Sequence, residues 1–222
     1  MTTSHPDLMT TSSRPPLRRC LREPIPEIES AAMQLAEAAK AHLAGDRLGV
    51  ITLLHASDSP TVRDWTESIW GKSGAFAVRG PYDADPPLQR LDKARMPSLS
   101  VQKQLHIAGG YYCRFCGIPV IRREVREFFR KNYAEANLWG TKNSEQHAAF
   151  QCMWAQYDHV LPHARGGSNE ISNLVVTCAP CNYGRMNYTL SESGLHDPRE
   201  SAPLVGPWTG LEEVLSSPHS EA

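Results

Sequence analysis

Two cysteine pairs constrain this chain more than any other feature. Cys113 and Cys116 form one CxxC and Cys178 and Cys181 another, with roughly sixty residues between them. A CxxC turn lets two thiolates converge on one ion, and two such turns complete a tetrahedral four-cysteine zinc site. Both pairs sit in knuckle-like settings, Cys113-Arg-Phe-Cys-Gly and Cys178-Ala-Pro-Cys-Asn. The separation exceeds that of a compact zinc ribbon, so spacing alone is not diagnostic. A thioredoxin-like redox pair needs a βαβ setting, which this region lacks. Cys20 and Cys152 have no paired neighbours and read as free thiols.

The 222 residues, 41% of them hydrophobic, suit one compact domain, or one domain with a small helical extension. The N-terminus, MTTSHPDLMTTSSRPPLRRC, has arginines but no apolar stretch after them, so no signal peptide is read there. The longest apolar run, Leu48 to Leu54, is too short to span a bilayer, and no membrane partner is expected. A reducing cytoplasm is the expected compartment, and there paired cysteines more often hold metal than form disulfides. The formal net charge is -1, so any nucleic-acid contact must come from local basic patches.

Residues 1–26 are rich in Ser, Thr, Pro and Arg and read as a disordered tail. It carries Arg14, Arg18, Arg19 and Arg22, either merely solvated or as an arm that tracks DNA. Residues 27–97 read as a helical region and connector. Ala32, Leu35, Ala36, Ala39 and Leu43 recur at helical steps, with a stop at Gly45. A second helix follows Asp46 through Val50 and Leu54, and Ser59-Pro60 starts a third holding Val62, Trp65 and Ile69. From Gly71 to Pro97 the chain is Gly-, Pro- and Asp-rich, a long connector. Packing or partner contact is the expected role of this third of the chain.

Ser98 to His106 predicts a short helix. The segment IRREVREFFRKNY after Cys116-Gly117 predicts another, with Ile121, Val125, Phe128 and Phe129 on one face. Arg114 to Lys131 holds six basic and two acidic side chains, the densest positive patch outside the tail. Arg122, Arg123 and Arg126 are candidate phosphate contacts, weighed against a simply solvated face.

A second constellation comprises Asp158-His159, Pro162, Gly166-Gly167, Asn173-Leu174 and Asn182. Met153 to Val160 and Leu174 to Val176 favour strands, Gly166-Gly167 a turn with positive φ, and the chain from Cys181 a short helix. Phosphodiester hydrolysis needs a base for water, a cation near the scissile phosphate, and something to hold the base. His159 has an intrinsic pKa suited to that base. Asp158 and Asn182 offer oxygen ligands that suit a hard cation such as Mg2+ or Mn2+, acting as Lewis acid and template. Taken singly, Asp158 also reads as a turn cap, His159 as a core histidine and Asn173 as a loop brace; the ordered set ending in a CxxC favours chemistry.

At these residues the chain resembles the HNH family of ββα-metal endonucleases, in the branch clamped by a four-cysteine zinc site. CRFCG at Cys113, DHVLPHARGGSNEISNLVVTC from Asp158 and CNYGR at Cys181 carry the resemblance, which covers roughly residues 98–190. It implies an α+β fold: a ββα-metal core at 98–196, a basic helical insertion at about 118–150, a mainly helical N-terminal region and a C-terminal extension at 197–222. It implies His159 as general base, Asp158 and Asn182 on the catalytic metal, and Asn173 as the residue that holds the loop and orients His159. Arg185 falls where the family often has a lysine and is a candidate phosphate contact, with His163 a second one. Asn182 stands in place of the family's final histidine, and about forty residues separate Cys116 from Asp158 where the family closes sooner.

The resemblance implies metal-dependent cutting of DNA with 5′-phosphate and 3′-hydroxyl products. Two other readings stay open: a zinc-knuckle nucleic-acid-binding module without catalysis, and a zinc-stabilised scaffold for protein partners. Biological target, oligomeric state and the choice between DNA and RNA are not legible.

Overall fold

The fold is that of a computed structural model, which describes residues 17–70, 74–80, 96–136 and 139–216. Its N-terminal part is three helices whose ends follow the sequence closely. α1 (Pro26–Leu43) opens with proline in its first turn, beside Glu27 and Glu29, and carries Lys40 and His42 in its last. Gly45 ends it with φ of 75°. α2 (Arg47–Ser57) is capped by Asp46, whose side chain accepts from the Gly49 amide at 2.9 Å. α3 (Pro60–Trp70) buries Val62, Trp65 and Ile69 along one stripe.

After α4 (Leu99–Ala108) and the first cysteine pair come α5 (Arg123–Asn132) and the short α6 (Ala148–Cys152). Strands β1 (Ala155–His159) and β2 (Leu174–Cys178) pair antiparallel, with Ala155 opposite Cys178 and His159 opposite Leu174. α7 (Ala179–Arg185) and α8 (Leu190–Ser193) follow. The architecture is α+β: two strands and α7 form a ββα unit inside a mainly helical molecule.

Among the described residues one hydrophobic cluster joins the N-terminal helices to the ββα unit. Leu35, Leu54, Trp65 and Ile69 of the first three helices join Phe115, Ile121, Phe129, Phe150 and Val176 and the paired cysteines in a single cluster. Every residue of α6 is buried, and that helix packs on both α3 and α7. The long insertion thus supplies part of the floor beneath the ββα unit. The C-terminal segment closes the side: Leu211 and Val214 are buried, and the Trp208 indole donates to the Val120 carbonyl at 3.0 Å.

The expectation of a disordered tail up to residue 26 is corrected from Leu17 onward. Arg18 forms an isolated parallel bridge with Leu195: its amide donates to Gly194 at 2.8 Å, and its carbonyl accepts from His196 at 2.9 Å. Cys20 and Leu21 are buried. One extended bridge leaves no periodicity to read. Arg22 donates to Ser68 at 2.6 Å and Arg19 pairs with Glu23 at 2.9 Å, so these arginines have partners within the molecule. The rest of the expected tail, including Arg14, lies outside the described residues, as do 71–73 and 81–95 of the connector, 137–138 of the insertion and 217–222. Among the described residues no helix is long and apolar enough to cross a membrane.

Candidate active site

The four cysteines meet. In the first knuckle the Cys113 amide donates to Ile118 at 2.8 Å and Gly117 turns with φ of 81°, a left-handed conformation that favours glycine. Cys178 ends β2 and Cys181 stands in the first turn of α7. All four Sγ atoms lie within 4.8 Å of one another and are buried, and Cys116 and Cys178 are 3.6 Å apart. Thiolates at about 2.3 Å from a tetrahedral zinc would be roughly 3.8 Å apart, so donor set and spacing both fit that ion. Burial opposes ionisation of Cys113, yet hydrogen bonds from the other three thiols hold its pKa well below the ordinary thiol value. Among the described residues no other cluster of three or more His, Cys, Asp or Glu could hold a metal.

Asp158 and His159 close β1, and successive strand residues face opposite ways. Asp158 turns to α7. Arg185 meets it with a two-pronged ion pair, Nε to Oδ2 at 3.0 Å and Nη2 to Oδ1 at 2.7 Å. The same guanidinium donates to the carbonyls of His159 at 2.6 Å and Tyr188 at 2.7 Å. Burial pushes the Asp158 carboxyl above the usual aspartate value, and the Arg185 charge opposes that rise. Arg185 is 0% exposed, which corrects its reading as a phosphate contact: every direction of its fork is committed inside the protein. Asn182 is half-buried and lies one turn before Arg185 on α7. A carboxylate has about four acceptor positions, so Asp158 keeps acceptor capacity beyond its bonds to Arg185.

His159 turns to the loop between the strands. Its Nε2 lies 2.8 Å from Oδ1 of Asn169, and its ring meets His163 edge-on at 5.5 Å between centroids. Asn173 braces that loop from its far end. Its Oδ1 accepts from the Leu161 amide at 2.9 Å, and its Nδ2 donates to the carbonyls of Leu161 at 3.1 Å and Ser168 at 2.9 Å. Of the two glycines only Gly166 has positive φ, at 89°; Gly167 is needed because a Cβ there would sit 1.8 Å from the Leu161 carbonyl oxygen. Asn169 escaped the sequence reading. Its one signal was an amide side chain in a loop otherwise accounted for by turn residues, and nothing distinguished it from Ser168.

The three candidate arginines of the basic segment divide. Arg122 is only 6% exposed and ion-pairs with Glu124 at 3.3 Å and Glu212 at 3.2 Å, which corrects its reading as a phosphate contact. Arg123 is exposed at the start of α5. Arg126 stacks over Trp154 at 4.2 Å and faces Trp139 at 5.6 Å.

A strand, a braced loop, a strand and a helix, locked from behind by four cysteines, define a ββα-metal module of the zinc-clamped type. Residues 150–196 match the model of the HNH endonuclease family. No curated protein and no solved structure matches the chain.

Proposed function

We propose that the chain is a metal-dependent endonuclease that hydrolyses phosphodiester bonds in DNA, with His159 as general base. The observation that carries this reading is the hydrogen bond from His159 to Asn169 inside the segment that matches the HNH family. An amide oxygen accepts only, so Asn169 favours the tautomer with its proton on Nε2 and the basic lone pair on Nδ1. His159 takes a proton from water as the water oxygen bonds to phosphorus. The P–O3′ bond breaks, the 3′ oxygen takes a proton from solvent, and a 5′-phosphate and a 3′-hydroxyl result.

Asn169 and Asn173 are positioning residues in this reading. Asn173 holds Ser168, and through it the neighbouring Asn169 against His159. Asp158 and Asn182 would hold Mg2+ or Mn2+, which supplies charge neutralisation at the scissile phosphate and leaving oxygen. Two protein oxygens suit a cation that takes its remaining ligands from phosphate and water. His163 and Arg123 are the candidate phosphate contacts left in place. The four cysteines hold zinc and take no part in the chemistry.

A binding module without catalysis is the second reading, favoured by the commitment of both Asp158 oxygens to Arg185. Supercoiled plasmid separates the two. Nicking or linearisation with Mg2+ or Mn2+ and none without them, with products that accept ligation directly, supports the nuclease. Plasmid bound but uncut under every metal supports the module.

A further inference from the structure

Beside the ββα unit, on the side of α7, lies a cavity of about 550 Å³. Its size falls within the range of small-ligand sites, roughly 300–1,000 Å³. Three aromatic rings line it: Trp70 at the end of α3, Trp154 just before β1, and Tyr183 on α7 directly after Asn182. Tyr183 lies 5.5 Å from Trp70 and 6.4 Å from Trp154 between ring centroids, both tilted by more than 50°, and is 41% exposed. The rings therefore face several directions around a space instead of stacking flat on each other.

Polar groups complete the lining. Arg126 enters from α5 over the Trp154 ring, and its Nε is buried with no hydrogen-bond partner among the described residues. A guanidinium donor left unmade is costly, and burial lowers the Arg126 pKa to about 10, which still leaves it charged at neutral pH. Gln151 lines the cavity from α6, and Arg123 brings an exposed second cation. Glu127 is a carboxylate on this lining, and Arg130 holds it at 2.6 Å. Asn143 and Gln146 add two more amide side chains to the lining, and aromatic faces, amides and two cations are the groups that receive an unstacked nucleobase and its phosphate. A fully stacked duplex offers no such base.

We infer that this cavity receives one unpaired nucleobase of the substrate, placing a single-stranded or locally unpaired nucleic acid across the ββα unit. The inference rests on the nuclease reading for the identity of the strand. The base packs against Tyr183 and the tryptophans, and Arg123 meets a neighbouring phosphate. Because Tyr183 adjoins Asn182, a base held there fixes the register of the strand relative to His159.

The test uses the full chain, without added divalent cation, and a 12-nucleotide single strand with 2-aminopurine at its centre. Stacking in the cavity quenches 2-aminopurine emission on binding. The same strand annealed to its complement is expected to bind at least about tenfold more weakly, and Tyr183→Leu to lose the quench and about tenfold in affinity, with zinc content and melting midpoint unchanged. Trp154→Leu serves as a second variant, read by the same quench provided it melts cooperatively. Binding without quench, no binding, equal affinity for the paired strand, or an unaltered quench in Tyr183→Leu would each overturn the inference. So would quenching of free 2-aminopurine riboside monophosphate at lower concentration than the strand, which points to a free nucleotide as the occupant. Adding Mg2+ to the same strand separates this from the nuclease reading: quench without cutting removes the nuclease alone, and cutting without quench removes the cavity alone.

Discussion

At the scale of single residues, a histidine serves as base only when its tautomer is held. In the proposed mechanism Asn169 does that from the loop, at 2.8 Å from Nε2 of His159. Asn169→Ala is expected to lower kcat by at least about tenfold with KM little changed, because the base survives but turns. Asn169→Asp places a carboxylate against the ring and favours imidazolium. The base must be deprotonated to act, so the acid limb of the pH–rate profile moves to higher pH. Unchanged kcat in the first variant and an unmoved limb in the second would remove Asn169 from this role. Arg185 belongs to stability instead. Arg185→Met leaves the Asp158 carboxylate buried and unpaired and is expected to cost about 3–5 kcal/mol in urea unfolding. A loss under about 1 kcal/mol would mean that the ion pair is not the anchor described.

At the scale of elements, legibility followed periodicity and fixed motifs. The stops and starts of α1, α2 and α3 were readable because Gly45, Asp46 and Ser59-Pro60 act through neighbouring residues. The strand–loop–strand–helix order around Asp158 and Asn173 was readable from strand-favouring residues and turn glycines. What was not readable depends on contacts between distant positions. The pairing of Asp158 with Arg185 spans 27 residues, and a lone arginine after a CxxC looks the same whether it faces phosphate or a buried carboxylate. Arg122 failed for the same reason, since its partner Glu212 comes from the far end of the chain. α4 holds another such case. Its His106 is 1% exposed, both ring nitrogens lack partners among the described residues, and burial, helped by the Arg122 charge, lowers its pKa to about 3. The folded state therefore keeps His106 neutral while the unfolded chain protonates it near pH 6.5. Its contribution is undiminished above about pH 6.5 and falls as pH drops from there toward 3, by up to about 1.4 kcal/mol per unit. His106→Leu is expected to gain on the wild type over that window. Parallel stability curves for the two would contradict it.

At the scale of the whole molecule, the four cysteines are the join. Cys113 and Cys116 come from the turn after α4, Cys178 and Cys181 from the strand and helix of the ββα unit, and all four lie in the core that the N-terminal helices share. Structural zinc in such a place is folding free energy. One zinc per chain is expected by metal analysis. Its removal with 1,10-phenanthroline is expected to abolish the cooperative melting transition, including the part reported by Trp65. An unchanged midpoint in protein proven free of zinc would contradict the staple. The same arrangement explains why the insertion between Cys116 and Asp158 was hard to place from sequence: α5 looks like a charged surface helix, yet its apolar face and α6 pack into the common core.

The central claim is that His159 activates water, and comparison with His159→Ala at equal zinc content tests it most directly. In a single-turnover cleavage assay with Mg2+, on a strand the wild type cuts, the account predicts a fall of at least about a hundredfold in rate with binding retained. Cleavage at the wild-type rate by His159→Ala would contradict it.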